Sequence, residues 1–127
     1  MRVRRIDSGQ KQDVWRFIQF PFELYKNCSM WVPPLLSGAR RDLNRRKHPF
    51  YRHSTADFFV AESEGQVVGR IAALYNANYN RYRGTRIAFF GFFEAIEDLQ
   101  VVRALFGAVR QWAHQLGVTQ IVGPKGL

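Results

Sequence analysis

Apolar residues recur at two different periods along the chain, and the change of period divides it in two. From Gln10 to Tyr25 the residues Val14, Phe17, Ile18, Phe22 and Tyr25 fall three and four apart, the stripe of a helix that Ser8 is placed to cap. Pro21 lies inside that stripe. Its ring clashes with the carbonyl four residues back, so a kink or restart is expected near Gln19 to Pro21. Before the helix, residues 2 to 6 read as a short edge strand carrying Val3 and Ile6. After it, Trp31 to Leu36 holds Pro33 and Pro34 and reads as extended chain.

From Asp57 the period becomes that of strands. Phe58 to Ala61 lead into the polar turn Glu62 to Gln66, and Val67 to Tyr75 return, which predicts a hairpin. Asn76 to Gly84 reads as a polar connection. Arg86 to Ala95 is then apolar on both faces until Glu94, the signature of a strand inside its sheet and covered on both sides. Gly91 within it marks a bulge or a close backbone approach. Asp98 caps the best helix of the chain, which ends at Gly117 and shows Val102, Leu105, Phe106, Val109, Trp112, Ala113 and Leu116 on one stripe. Val118 to Val122 is the last strand, stopped by Gly123-Pro124. Strand, helix and strand with short connections form a crossover, so this strand should run parallel to Arg86 to Glu94.

Composition sharpens the picture in three respects. The 127 residues, 46% hydrophobic and 23% charged, suit one folded domain. No apolar run approaches the roughly 20 residues of a bilayer span and no apolar stretch follows the basic N-terminus, so a cytosolic protein without a membrane partner is expected. Cys28 is the only cysteine, which rules out an internal disulfide, and the spacing of His48, His53 and His114 suggests no metal site. The formal net charge of +9 is concentrated before residue 54, where 12 basic residues face 4 acidic ones. Arg40, Arg41, Arg45, Arg46, Lys47 and Arg52 alternate there with Phe50 and Tyr51. Such a stretch can hold phosphates while rings stack on bases, although a solvated basic loop is the favoured reading.

Six short segments, in order, resemble a known superfamily: Phe22-Glu23-Leu24-Tyr25, Trp31-Val32-Pro33-Pro34-Leu35, Pro49-Phe50-Tyr51-Arg52-His53, Val68-Gly69-Arg70-Ile71-Ala72-Ala73, Phe89-Phe90-Gly91-Phe92-Phe93-Glu94 and Gly123-Pro124. Together with the order of elements they are similar to the first two thirds of the GNAT-type N-acetyltransferases, and most similar to a group of longer bacterial GNAT-like proteins. The resemblance implies an α+β fold with a mixed sheet. That sheet is mostly antiparallel with a parallel pair at the fourth and fifth strands, has helices on both faces, and is incomplete at the C-terminus. It implies that residues 1 to 127 are the N-terminal portion of one such domain, ending after the fifth strand.

In this superfamily acetyl-CoA or another acyl-CoA lies between the splayed fourth and fifth strands, and its pyrophosphate rests on a glycine-rich loop opening the next helix. By position, the resemblance assigns Phe92, Phe93, Leu99, Gln100 and Arg103 to the cofactor. The loop here, Ala95 to Gln100, has no glycine and carries Glu97 and Asp98. Helix-start amides attract an anion, and carboxylates beside them oppose it. Glu94 is the catalytic candidate: a carboxyl at the end of an apolar strand suits a general base for an amine substrate, and some members carry a glutamate base on this strand. Three readings follow. The first is a protein related to N-acyltransferases, with its machinery whole or partly lost. The second is a polyanion or nucleic-acid binding module using Arg40 to Arg52. The third is an oligomeric remnant, with a homodimer formed through the open strand edge at Val118 to Val122.

Overall fold

A computed structural model describes residues 1–127. In chain order the elements are β1 (Arg2–Arg5), α1 (Lys11–Leu24), α2 (Leu36–Asp42), a 3-10 turn (Pro49–Arg52), β2 (Thr55–Ser63), β3 (Gln66–Tyr75), α3 (Ala77–Arg83), β4 (Ile87–Ala95), α4 (Leu99–Gln115) and β5 (Gln120–Val122). The five strands form one sheet in sequence order. Neighbours are antiparallel except β4 and β5, which pair in parallel through Ile87 with Gln120, Ala88 with Ile121 and Phe89 with Val122. The phenylalanine-rich strand is thus interior, with α4 crossing over to a parallel neighbour as its flanking sequence requires.

Strand alternation sorts the core into two layers. Phe58, Val60, Ala72, Leu74 and Phe89 face α1 and meet Phe17 and Leu43. Phe59, Ala61, Ile71, Ala73 and Ala88 face α4 and meet Val101, Leu105, Val109 and Trp112. Helices therefore cover both faces, as expected. Three details of the α4 end differ from the sequence reading. Val101 rather than Val102 is buried, Leu116 is exposed, and β5 starts at Gln120 because Val118 is drawn under the helix, its N–H donating to the Ala113 carbonyl at 2.9 Å.

Three other expectations are corrected. The basic stretch begins inside a helix, α2, which the polar run Leu36–Asp42 with Gly38 disguised. Asn76 to Gly84 is the helix α3: Asn76 caps it by accepting from Tyr79 N–H at 2.9 Å, and Gly84 ends it at φ 64. Neither helix has an apolar stripe long enough to announce it. Finally, α1 runs unbroken through Pro21. Proline cannot donate to the Phe17 carbonyl four residues back, and here the Arg70 guanidinium does so instead, Nη1 to oxygen at 2.9 Å. The lost helical bond is replaced from the sheet, and the helix continues.

Candidate functional site

Register decides which side chains meet on the α1 face. Ala72 of β3 pairs with Gly91 of β4, but two residues earlier Arg70 pairs with Glu94, three residues later. Strand β4 therefore carries one extra residue, and Phe92 takes a positive φ of 52 to accommodate it. A one-residue slip moves every following side chain to the opposite face. Without the bulge Glu94 would point toward α4; with it, Glu94 lies on the α1 face beside Arg70. Phe92 packs on Phe17 and Phe58, with centroids 6.0 and 6.1 Å away, and Phe93 turns to Phe106 at 5.0 Å.

Helix α1 completes the cluster. The Tyr25 hydroxyl at its C-cap donates to the Glu94 carboxylate in a short hydrogen bond, and the Tyr25 ring stacks on Trp31 at 5.3 Å. Arg70 sits over the rings of Phe17 and Phe92, at 4.8 and 5.8 Å. Burial pulls its guanidinium down to about 10, and the negative charge of Glu94 opposes that shift. Its Nε is enclosed without a partner. Tyr25 and Arg70 were not singled out from the sequence. Their signals were there in Pro21, which leaves the Phe17 carbonyl in need of a donor, and in an arginine within the apolar run of β3.

The Tyr25 phenol is pushed up to about 12, first by its bond to Glu94 and then by burial, while burial alone chiefly raises Tyr51 to about 12. A raised phenol means that the Tyr25–Glu94 bond contributes fully below the ordinary value of 10 and is lost as pH climbs toward 12. An ultraviolet titration should show two tyrosines ionising late, and Glu94→Gln should bring the Tyr25 step down toward 10 while leaving Tyr51 in place. A Tyr25 step that ignores the substitution would show the bond to be absent in solution.

Three of the positions assigned to the cofactor lie at the start of α4. Leu99 and Gln100 on the first turn and Arg103 on the next are exposed. Asp98 Oδ1 already accepts the Gln100 N–H at 2.9 Å, and Glu97 and Asp98 are both exposed beside it. Strands β4 and β5 stop pairing at Phe89 and Val122, but the space beyond is crossed by residues 123 to 127. There Lys125 N–H donates to the Phe90 carbonyl at 2.9 Å, and the Lys125 carbonyl lies where a Cβ on Gly91 would stand. The close approach read from Gly91 is thus to this segment.

The basic stretch is divided by the fold. Arg45 is engaged with Ser8 Oγ, the Ala56 carbonyl and Asp57 at 2.8, 2.6 and 2.8 Å. Arg40, over the Trp15 ring at 5.7 Å, lines an open groove with Lys11, Arg45 and Arg46. Arg41, Lys47 and Arg52 are exposed. The rings expected to stack on bases are turned inward: Phe50 is buried in the core, and the Tyr51 hydroxyl donates to the Asp42 carbonyl at 2.6 Å. His48 Nδ1 caps the 3-10 turn by accepting from Phe50 N–H at 3.1 Å. No three metal-capable side chains are gathered anywhere in the chain, and no helix is long and apolar enough to cross a membrane.

No family model matches the chain. Among curated proteins, Protein YghO of Escherichia coli (strain K12) is 38% identical over 117 residues, which are 92% of this chain and 30% of that protein. Among solved structures, a tandem GNAT protein from the clavulanic acid biosynthesis pathway superposes with a TM-score of 0.74 at 17% identity, over 94% of this chain and 35% of that one. An aminoglycoside acetyltransferase from an uncultured soil metagenomic sample superposes with a TM-score of 0.65 at 16% identity, over 98% of this chain and 76% of that one. The chain has the GNAT-type N-acetyltransferase fold. It spans about a third of the length of YghO and of the tandem protein.

Acetyl-CoA, which this fold implies, can be tested against the residues present. A pyrophosphate on α4 would meet the carboxylates of Glu97 and Asp98, one helix-start amide already taken by Asp98, and no glycine. A carboxylate roughly 4 Å from a phosphate oxygen costs between about 1 kcal/mol in water and about 4 kcal/mol at an effective dielectric near 20. The helix dipole returns about 0.3–1 kcal/mol. The residues at α4 do not fit the group.

Proposed function

We propose that the chain is the acceptor-handling part of a protein related to N-acyltransferases, in which Glu94 binds and deprotonates a primary amine. The observation that carries this reading is the placement of Glu94. It follows the β4 bulge on an interior strand, on the same face as Arg70, with its carboxylate fixed by the Tyr25 hydroxyl from α1. A carboxylate held this way meets an ammonium with no reorientation and takes its proton as the nitrogen lone pair is released. Trp31, stacked on Tyr25, offers an aromatic face beside the incoming cation. No step is assigned to a thioester held on α4, so an acyl donor would be held by other residues.

Calorimetric titration with phenethylamine at neutral pH tests this. The intact chain should bind it, and Glu94→Gln, which keeps an acceptor for Tyr25 and removes only the charge, should weaken binding at least tenfold with little change in melting temperature. Equal affinity of the two proteins would remove Glu94 from the role.

A further inference from the structure

A cavity of about 400 Å³ opens between α1, α2 and the β4 bulge, next to the Glu94 cluster. Its walls are largely apolar, with Phe17, Leu35, Leu43 and Phe92 among them, and Gly38 faces it from α2. That volume lies within the range of small-molecule sites, about 300–1,000 Å³, and suits an aryl or branched alkyl group. One cation lines it, Arg70. Its Nη1 donates to the Phe17 carbonyl, its Nε is enclosed without a partner, and no carboxylate lies within ion-pair distance. Its cross-strand neighbour Glu94 acts on it electrostatically but is bonded to Tyr25, so a largely desolvated guanidinium at the chamber wall is left without a direct anionic contact. The one acidic residue of the lining, Asp42, stands near His48, whose Nε2 lies 3.5 Å from its carboxylate.

We infer that this cavity takes an apolar ligand bearing a carboxylate, with the anion received by Arg70 and the apolar body held between Phe17, Phe92 and α2. A largely desolvated guanidinium that no carboxylate contacts directly favours an anion brought to it, and arginine donates charge-assisted N–H bonds to a carboxylate. Because Arg70 and Glu94 are cross-strand partners, one molecule carrying both groups would place its carboxylate on Arg70 and its amine on Glu94. The acceptor class is then an apolar amino acid or a close analogue. The amine half of this statement rests on the proposed function, while the carboxylate half rests on the cavity alone.

Titration of the full chain with hydrocinnamate, with its uncharged amide and with phenethylamine separates the two halves. Hydrocinnamate should bind at least tenfold more tightly than the amide. A Cβ added to Gly38 meets nothing within 4 Å, and leucine is the better helix former, so Gly38→Leu should fill the cavity while leaving the fold intact. It should weaken hydrocinnamate binding at least tenfold at an unchanged or higher melting temperature. Equal affinity for acid and amide, or hydrocinnamate binding undisturbed by Gly38→Leu, would overturn the inference. Phenethylamine binding that ignores Glu94→Gln would instead overturn the proposed function and leave the carboxylate site standing.

Discussion

Arg70→Met should lower the unfolding free energy by about 2–3 kcal/mol, and the loss should be about 1 kcal/mol smaller when Pro21 is replaced by alanine as well. The Phe17 carbonyl has no helical donor because residue 21 is proline, and Arg70 Nη1 supplies one. Removing the guanidinium leaves that carbonyl unsatisfied, at about 1–3 kcal/mol. It also removes two cation–π contacts, at 4.8 and 5.8 Å, worth about 0.5–2 kcal/mol each. Opposing both is the desolvation already endured by a guanidinium whose pKa burial has lowered to about 10, which keeps the net figure below the sum. Alanine at position 21 restores an N–H to the carbonyl, so the two substitutions must couple. Urea denaturation of the four proteins measures this. Strict additivity would mean that Arg70 does not replace the missing helical bond.

The second large effect is expected at Asp13, which ties β1 to α1. Both of its oxygens accept from Arg4, at 2.9 and 3.0 Å, and one also accepts the Asp7 N–H at 2.8 Å. Arg4 reaches Glu62 on β2 as well, at 2.9 Å. Asp13→Asn keeps the shape and sets an amide against the guanidinium, which then retains only Glu62 as counter-charge, and the loss of the charge-assisted bonds should cost about 1.5–3 kcal/mol. The same contacts hold the carboxyls of Asp13 and Glu62 below their ordinary values of 3.8 and 4.5, chiefly through the Arg4 hydrogen bonds. For a depressed carboxyl the stabilisation is complete above those ordinary values and is lost as pH falls through the folded-state ones. Stability should therefore drop on acidification below about pH 4, and the drop should be smaller in Asp13→Asn. An acid transition identical in the two proteins would show that this pair contributes nothing measurable.

The features legible in the sequence are those with strong local physics. The hairpin of β2 and β3 shows in its apolar runs and the turn at Gly65, and α4 shows in Asp98, Gly117 and a long apolar stripe. The parallel placement of β5 followed from short connections alone. Two short helices escaped because Leu36–Asp42 and Ala77–Arg83 carry no stripe, although Asn76 and Gly84 frame the second as a cap pair. The site itself was half legible. Glu94 stood out as the polar end of an apolar strand, but its face was hidden. Gly91 signals a bulge or a close approach, but a strand apolar on both sides does not show where an extra residue falls, and its place at Phe92 decides whether Glu94 meets α1 or α4. Tyr25 and Arg70 are drawn to it by contacts across 69 residues of chain and across the sheet, which no local pattern records.

The amide NMR spectrum of the chain titrated with acetyl-CoA tests most directly whether the acceptor side is built here and the α4 phosphate cradle is not. With Glu97 and Asp98 exposed and the Gln100 amide capped, the signals of residues 99 to 102 should not shift saturably. A saturable shift of those first-turn amides with micromolar affinity would contradict the account.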